Sequence, residues 1–231
     1  MRNLSVYILV FVAAAGLPFQ AVYGFTPQSK TAPQATSAAQ VMERFNAKME
    51  EHFSVEMRFT FSGADRYGNE IGSFEGMALR QGTDYAMINR EVEVYAKGDT
   101  KWIYTAAHNE AVVMPNDPTV IDLAENPLAL LSAQFSKEYS LSGKPNYYVE
   151  NGREVVEVTL TPKPKNMPYS SIILRIDNQT LTPHSVRYNA KDGGWYEATI
   201  ITYTHHPQPF PPERFTFSAE DHPGVYITDF R

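Results

Sequence analysis

Phe53-Ser54-Val55-Glu56-Met57-Arg58-Phe59-Thr60-Phe61-Ser62 alternates a large apolar residue with a polar one through five repeats. Successive side chains of a strand point to opposite faces, so this stretch reads as a strand with one apolar and one polar face. A sheet covered on one side and wet on the other is the usual home for such a strand. Immediately before it, Ser37 with Gln40 makes a capping-box signature. Val41, Phe45 and Met49 then recur every four residues, with Glu43, Arg44, Lys48, Glu50 and Glu51 on the opposite face. The spacing predicts an amphipathic helix over 38–51. After the opening strand, a turn at Asp65–Asn69 leads into strands near 70–80, 84–89, 91–97, 101–105 and 110–115. Residues 116–136 break the pattern, and Asn126-Pro127 ahead of Leu128, Leu131 and Phe135 predicts a short capped helix. Strands resume at 137, with Asn151-Gly152 as a hairpin turn, and continue near 170–177, 181–189, 195–204 and 214–218. About a dozen short antiparallel strands imply a barrel or a strongly curved sheet. Two greasy helices would cover its apolar face, leaving a cavity for an apolar ligand if side chains only half fill the interior.

Composition narrows the function. The chain has 231 residues, a formal net charge of -6 and no cysteine. Disulfides, thiolate metal sites and a cysteine nucleophile are excluded, as is an N-terminal lipid-modified cysteine. The acidic balance argues against nucleic acid or an anionic membrane surface as partner. Residues 1–24 read as a secretory signal peptide: Arg2, an apolar run from Val6 to Leu17, then Pro18 and small residues ahead of Phe25. Those 12 residues are too short to span about 30 Å of hydrocarbon. Residues 25–36 read as a flexible lead-in and 37–231 as one domain. The expected location is the periplasm.

No catalytic or metal-binding motif stands out, and neither enzymatic activity nor a cofactor is expected. Gly72-Ser73-Phe74-Glu75-Gly76 has its serine in the wrong place for a nucleophile elbow. His205-His206 are neighbours on a strand, so they point to opposite faces and cannot easily share one ion. Asn178-Gln179-Thr180 fits a glycosylation sequon but reads equally as a turn after Asp177. Seven methionines beyond the leader suit an adaptable apolar surface.

Four segments resemble the periplasmic outer-membrane lipoprotein carrier family, the LolA-like proteins. They are the helix leading into Phe53–Phe59; Gly76–Arg80 followed by Asp84–Ile88; Lys97-Gly98-Asp99-Thr100-Lys101-Trp102-Ile103-Tyr104, with Asn126-Pro127-Leu128 beyond it; and Arg214-Phe215-Thr216-Phe217 ahead of Pro223-Gly224-Val225. They occur in the family's order across residues 38–231. The resemblance implies an incomplete antiparallel barrel with a helical lid over a hydrophobic cavity. It implies acylated lipoproteins as cargo, received from an ATP-driven release complex of the inner membrane and delivered to an outer-membrane acceptor. The chain is expected to act as a monomer. Two departures are visible: the glycine of the family's Asp-Gly-Lys turn is shifted to Gly98, and the place of its lid-latching basic residue falls at Gly82. Arg80, two positions away, is the candidate latch.

Alternation then assigns an acyl cavity to Phe53, Val55, Met57, Phe59, Met77, Leu79, Met87, Trp102 and Tyr104. Val41, Phe45, Met49, Leu128, Leu131 and Phe135 would close it. Rival readings are a carrier or sensor of another lipid or glycolipid, an exported hydrolase with an unrecognised site, and an adhesion module with a filled core.

Overall fold

A computed structural model describes residues 35–117, 139–163 and 167–231. Helix α1 spans Ala38–Glu51, and Ser37 caps it by accepting a hydrogen bond from the Gln40 N–H. Gln40 reaches back past the cap residue, accepting from the N–H and hydroxyl of Thr36. Two otherwise orphaned donors at the helix start are thereby satisfied. The start is also tied to the sheet: the Tyr147 hydroxyl accepts from the Ala35 N–H at 2.8 Å and donates to its carbonyl.

Strands β1 (Ser54–Ala64) and β2 (Glu70–Gln81) form a hairpin. Asp65 shapes its turn by accepting from the N–H groups of Tyr67 and Asn69, and Gly68 supplies a φ of 84°. Strands β3 (Asp84–Asn89), β4 (Val92–Lys97), β5 (Thr100–Thr105) and β6 (Glu110–Pro115) continue the meander. Strands β7 (Tyr139–Glu150) and β8 (Arg153–Pro162) meet at Asn151-Gly152, where φ values of 51° and 78° give the type I′ turn that the dipeptide favours. Strands β9 (Tyr169–Asp177), β10 (Pro183–Ala190) and β11 (Trp195–His206) follow, and β12 (Tyr226–Asp229) ends the series.

The twelve strands of the described residues all belong to one sheet, in the order β12-β6-β5-β4-β3-β2-β1-β11-β10-β9-β8-β7. The return of β11 to the flank of β1 joins the two meanders, so the sequence-decisive strand is central. Every neighbouring pair is antiparallel except β12 and β6, which run parallel. Strands β12 and β7 are the two edges, so the sheet is open and curved, not closed into a barrel.

One expectation about the C-terminal region is corrected. Residues 214–218 do not form a strand; Pro212–Phe215 is a 3-10 turn with Pro212 at its start. Pro212, whose ring presets φ for a first helical position, starts that turn, and the turn takes Arg214 and Phe215 out of an extended conformation. The proline-rich loop before it is exposed except at one residue. Phe210 is buried, and its N–H donates to the Gln81 side chain at 2.6 Å. Strand β12, in contrast, is short and mostly exposed, and no alternation announced it. The expected helix near 128–135, with Leu128, Leu131 and Phe135, lies outside the described residues, as do residues 1–34.

Candidate functional site

Residues directly opposite one another on paired strands share a face. The registers therefore trace a row from Met57 through Ala78, Met87, Val94 and Ile103 to Val112 across β1–β6. On the other half, Phe61 continues through Ala198, Val186, Leu174 and Val158. These rows belong to one face, the inner face, and α1 lies upon it. The helix buries Ala38, Val41, Met42, Phe45 and Met49 in the same cluster as Val55, Met57, Phe59 and Met87.

The helix residues Val41, Phe45 and Met49, and Val55, Met57, Phe59 and Met87 from the strands, thus come together. Five expected cavity residues do not. Leu79 sits in a second row with Ala86, Tyr95, Trp102 and Val113, while Met77 aligns with Ile88, Glu93 and Tyr104. Both rows lie on the outer face. Phe53 precedes β1, is 56% exposed, and rests its ring beside Gly82. Residue size misled the reading of β2. Its inner positions opposite Phe59 and Met57 are Gly76 and Ala78. A Cβ at Gly76 would stand 2.6 Å from Phe59 Cζ, so small residues there make room for the phenylalanine ring. The large residues of β2 turn outward instead, because that face is also covered. Phe210 and Phe215 pack on Leu79 and Ala86, and Phe217 stacks on Tyr104 with ring centroids 5.6 Å apart.

Inner-face residues that sequence reasoning missed include Ile103, Val92, Tyr85 and Phe74, all half-buried against the core. At one end of the face Phe61 stacks on Phe74 at 5.0 Å and on Tyr196 at 6.0 Å, and Tyr196 is 40% exposed. The period-2 pattern of the short strands was legible, but its phase was not; only pairing register fixes that.

Arg80 lies on the inner face, opposite Val55. Its guanidinium Nη2 donates to the carbonyl oxygens of Met49 at 3.2 Å and His52 at 2.8 Å. Those are carbonyls at the C-terminal end of α1, where backbone acceptors lack helical partners and a cation is favoured. Burial lowers the Arg80 pKa, with Tyr203 opposing; burial likewise pushes the Tyr203 hydroxyl up to about 12. Beside this pair, His52 Nδ1 is 2.9 Å from the Tyr203 hydroxyl. The His52 ring stacks on His205 at 4.4 Å. Burial first, and then His205, lower the His52 pKa. His206 turns the other way and packs on Phe210, so the adjacent histidines do face opposite sides. Asn178 is buried and donates toward Glu154. Among the described residues no cluster of three or more His, Asp or Glu could hold a metal ion, and no helix is long and apolar enough to cross a membrane.

An uncharacterised conserved protein from Thermus thermophilus is similar in fold, with a TM-score of 0.53 at 9% identity over 81% of this chain and 98% of that one. A LolA superfamily protein from Nitrosomonas europaea matches at a TM-score of 0.42 and 12% identity, over 79% of this chain and 99% of that one. The lipoprotein LppX of Mycobacterium tuberculosis gives 0.39 and 11%, over 75% and 99%. At these identities the likeness is one of fold. No family model matches the chain, and neither does any curated protein.

Proposed function

We propose that the protein is a non-catalytic periplasmic carrier that shields the acyl chains of lipoproteins on their way from the inner to the outer membrane. The observation that carries this reading is the inner face itself. It is a largely apolar surface whose cover, α1, is fastened at its C-terminal end by Arg80 on two carbonyls and by Tyr203 on the side chains of His52 and Met49. An acyl chain gains about 0.8 kcal/mol for each methylene removed from water. Slid onto the inner face in exchange for helix contacts, it replaces apolar packing with apolar packing. Such an exchange lies near balance, and a shuttle must both load and release.

Adjacent residues of β5 provide the test, because Ile103 faces inward and Trp102 outward. Binding of a triacylated lipopeptide to Ile103→Glu should fall by at least about tenfold, since an acyl chain cannot solvate a carboxylate. Trp102→Glu should bind as the parent does, with circular dichroism confirming that both variants fold. Undiminished binding by a folded Ile103→Glu would reject the inner face as the acyl site. Mass spectrometry of lipids retained after gentle purification separates lipoprotein cargo from another lipid or glycolipid.

A further inference from the structure

Strand β10 pairs with only the first part of β11. Their register runs from Asn189 opposite Trp195 to Ser185 opposite Thr199 and stops. On its other flank β11 remains paired with β1 as far as His206. Residues 200–206 therefore have a strand neighbour on one side and, among the described residues, none on the other. The sequence supplies the causes. Pro183, the first residue of β10, has no N–H to donate. Leu181, two residues earlier, holds a φ of 57°, and Asp177 winds the intervening turn by accepting from the Gln179 and Thr180 N–H groups. Opposite the Arg58–Phe59 step, the β11 register slips by one residue and leaves Ile201 without a partner on β1.

The splayed strands enclose a cleft of roughly 350 Å³ lined by Arg153, Thr180, Thr182, Pro183, Ile201 and Tyr203, with Asp177 and Ile200 beside them. Ile201 is 50% exposed. Arg153 is exposed and forms no ion pair among the described residues, whereas Asp177 Oδ1 is already engaged by its turn.

We propose that this cleft is a docking slot for an extended segment of a partner polypeptide, which adds as a strand along residues 200–206 and sets an acidic side chain beside Arg153. A free strand edge repeats its donors and acceptors every two residues, a spacing that only another polypeptide backbone matches. Long unpaired edges are ordinarily blunted by lysine, proline or a covering element. Residues 200–206 contain neither lysine nor proline. The slot lies within the sheet order, between β10 and β11, and is flanked by the turn at 178–182.

The slot is independent of the acyl-carrier reading, and its test needs no lipid. The full chain is titrated with a fluorescent ten-residue Val/Thr-alternating peptide carrying a central Glu. Parallel titrations use the same peptide with alternate amides N-methylated, and one with Lys in place of Glu. Saturable binding is expected, with amides in 200–206 gaining hydrogen-exchange protection. N-methylation, the Lys peptide and Arg153→Glu should each weaken binding at least about tenfold, and Arg153 is exposed, so its replacement leaves the fold intact. Equal binding of the N-methylated peptide, protection confined to the β7 or β12 edge, or no binding at millimolar peptide would overturn the proposal. Concentration-dependent protection of 200–206 without peptide would overturn it in favour of self-association.

Discussion

Gly76 shows how one residue sets the identity of a face. It carries no unusual backbone angle; what it lacks is the atom that Phe59 would meet at 2.6 Å. Gly76→Ala should therefore push a fully buried ring out of its rotamer or force β1 and β2 apart. Overpacking of this kind costs typically 1–3 kcal/mol, measurable as a fall in ΔG of unfolding by denaturant. The compensating variant Gly76→Ala with Phe59→Leu should recover part of the loss, because the shorter side chain vacates the position. If the single variant is as stable as the parent, the close approach does not constrain the strand pair. The same residue explains why the phase of β2 was hard to read. Large apolar side chains usually mark the buried face, yet here Met77 and Leu79 pack outward and the inner face carries Gly76 and Ala78. Such a swap is invisible until both faces are known to be covered.

At the scale of elements, α1 is the part most fully legible in advance. Its limits, its cap and its buried stripe follow from Ser37, Gln40 and the spacing of Val41, Phe45 and Met49. Sequence alone did not show how the helix ends. Arg80 reaches it from β2 at a separation in sequence that no local pattern encodes; only the family resemblance made Arg80 the candidate latch. The helix end is also where pH should act. His52 has a folded-state pKa below the ordinary histidine value of 6.5, first through burial and then through His205, with Lys48 and Arg80 also lowering it and Glu51 opposing. The unfolded chain then binds the proton more readily, so the stability His52 provides is present at neutral pH and is lost as pH falls below about 6.5. His222 behaves in the opposite sense. Burial alone lowers it, but the Ser218 carbonyl and Glu93, 3.2 Å from Nε2, outweigh burial and raise its pKa. Its contribution is present below about 6.5 and fades as pH rises through the raised value. Opening free energies from hydrogen exchange, corrected for intrinsic rates, should therefore fall in the last turn of α1 between pH 7.5 and 5.5. They should rise around 218–225 over the same interval. His52→Gln should remove the first trend and leave the second; a fall of both together would contradict the assignment.

The whole molecule divides the outer surface of its sheet in two. Over β8–β11 the outer face is polar: Arg175 bridges Glu157 and Glu197, and Ser185 joins the same network. Over β2–β5 it is apolar and covered by the stretch from Phe210 to His222, with Phe215 fully buried on Leu79 and Ala86. The first half needs water and the second needs its strap. This asymmetry accounts for what the sequence concealed. Apolar residues alternate on β8–β11 because one face is wet, whereas β2–β5 carry apolar residues on both faces and lose their phase. It also assigns different tasks to the two faces of β2–β5, an inner face for the proposed cargo and an outer face for stability alone. Truncating the strap's anchor separates those tasks. Phe215→Ala should cost about 3–5 kcal/mol of unfolding free energy, as large-to-small changes at buried phenylalanines do. Affinity for a triacylated lipopeptide, measured well below the unfolding midpoint and scaled to the folded fraction, should remain that of the parent. A matching loss of affinity would mean that the strap sets the curvature on which the inner face depends, and the outer face would then be part of the binding device. An unchanged affinity beside a lowered stability would place the acyl site wholly on the inner side of the sheet.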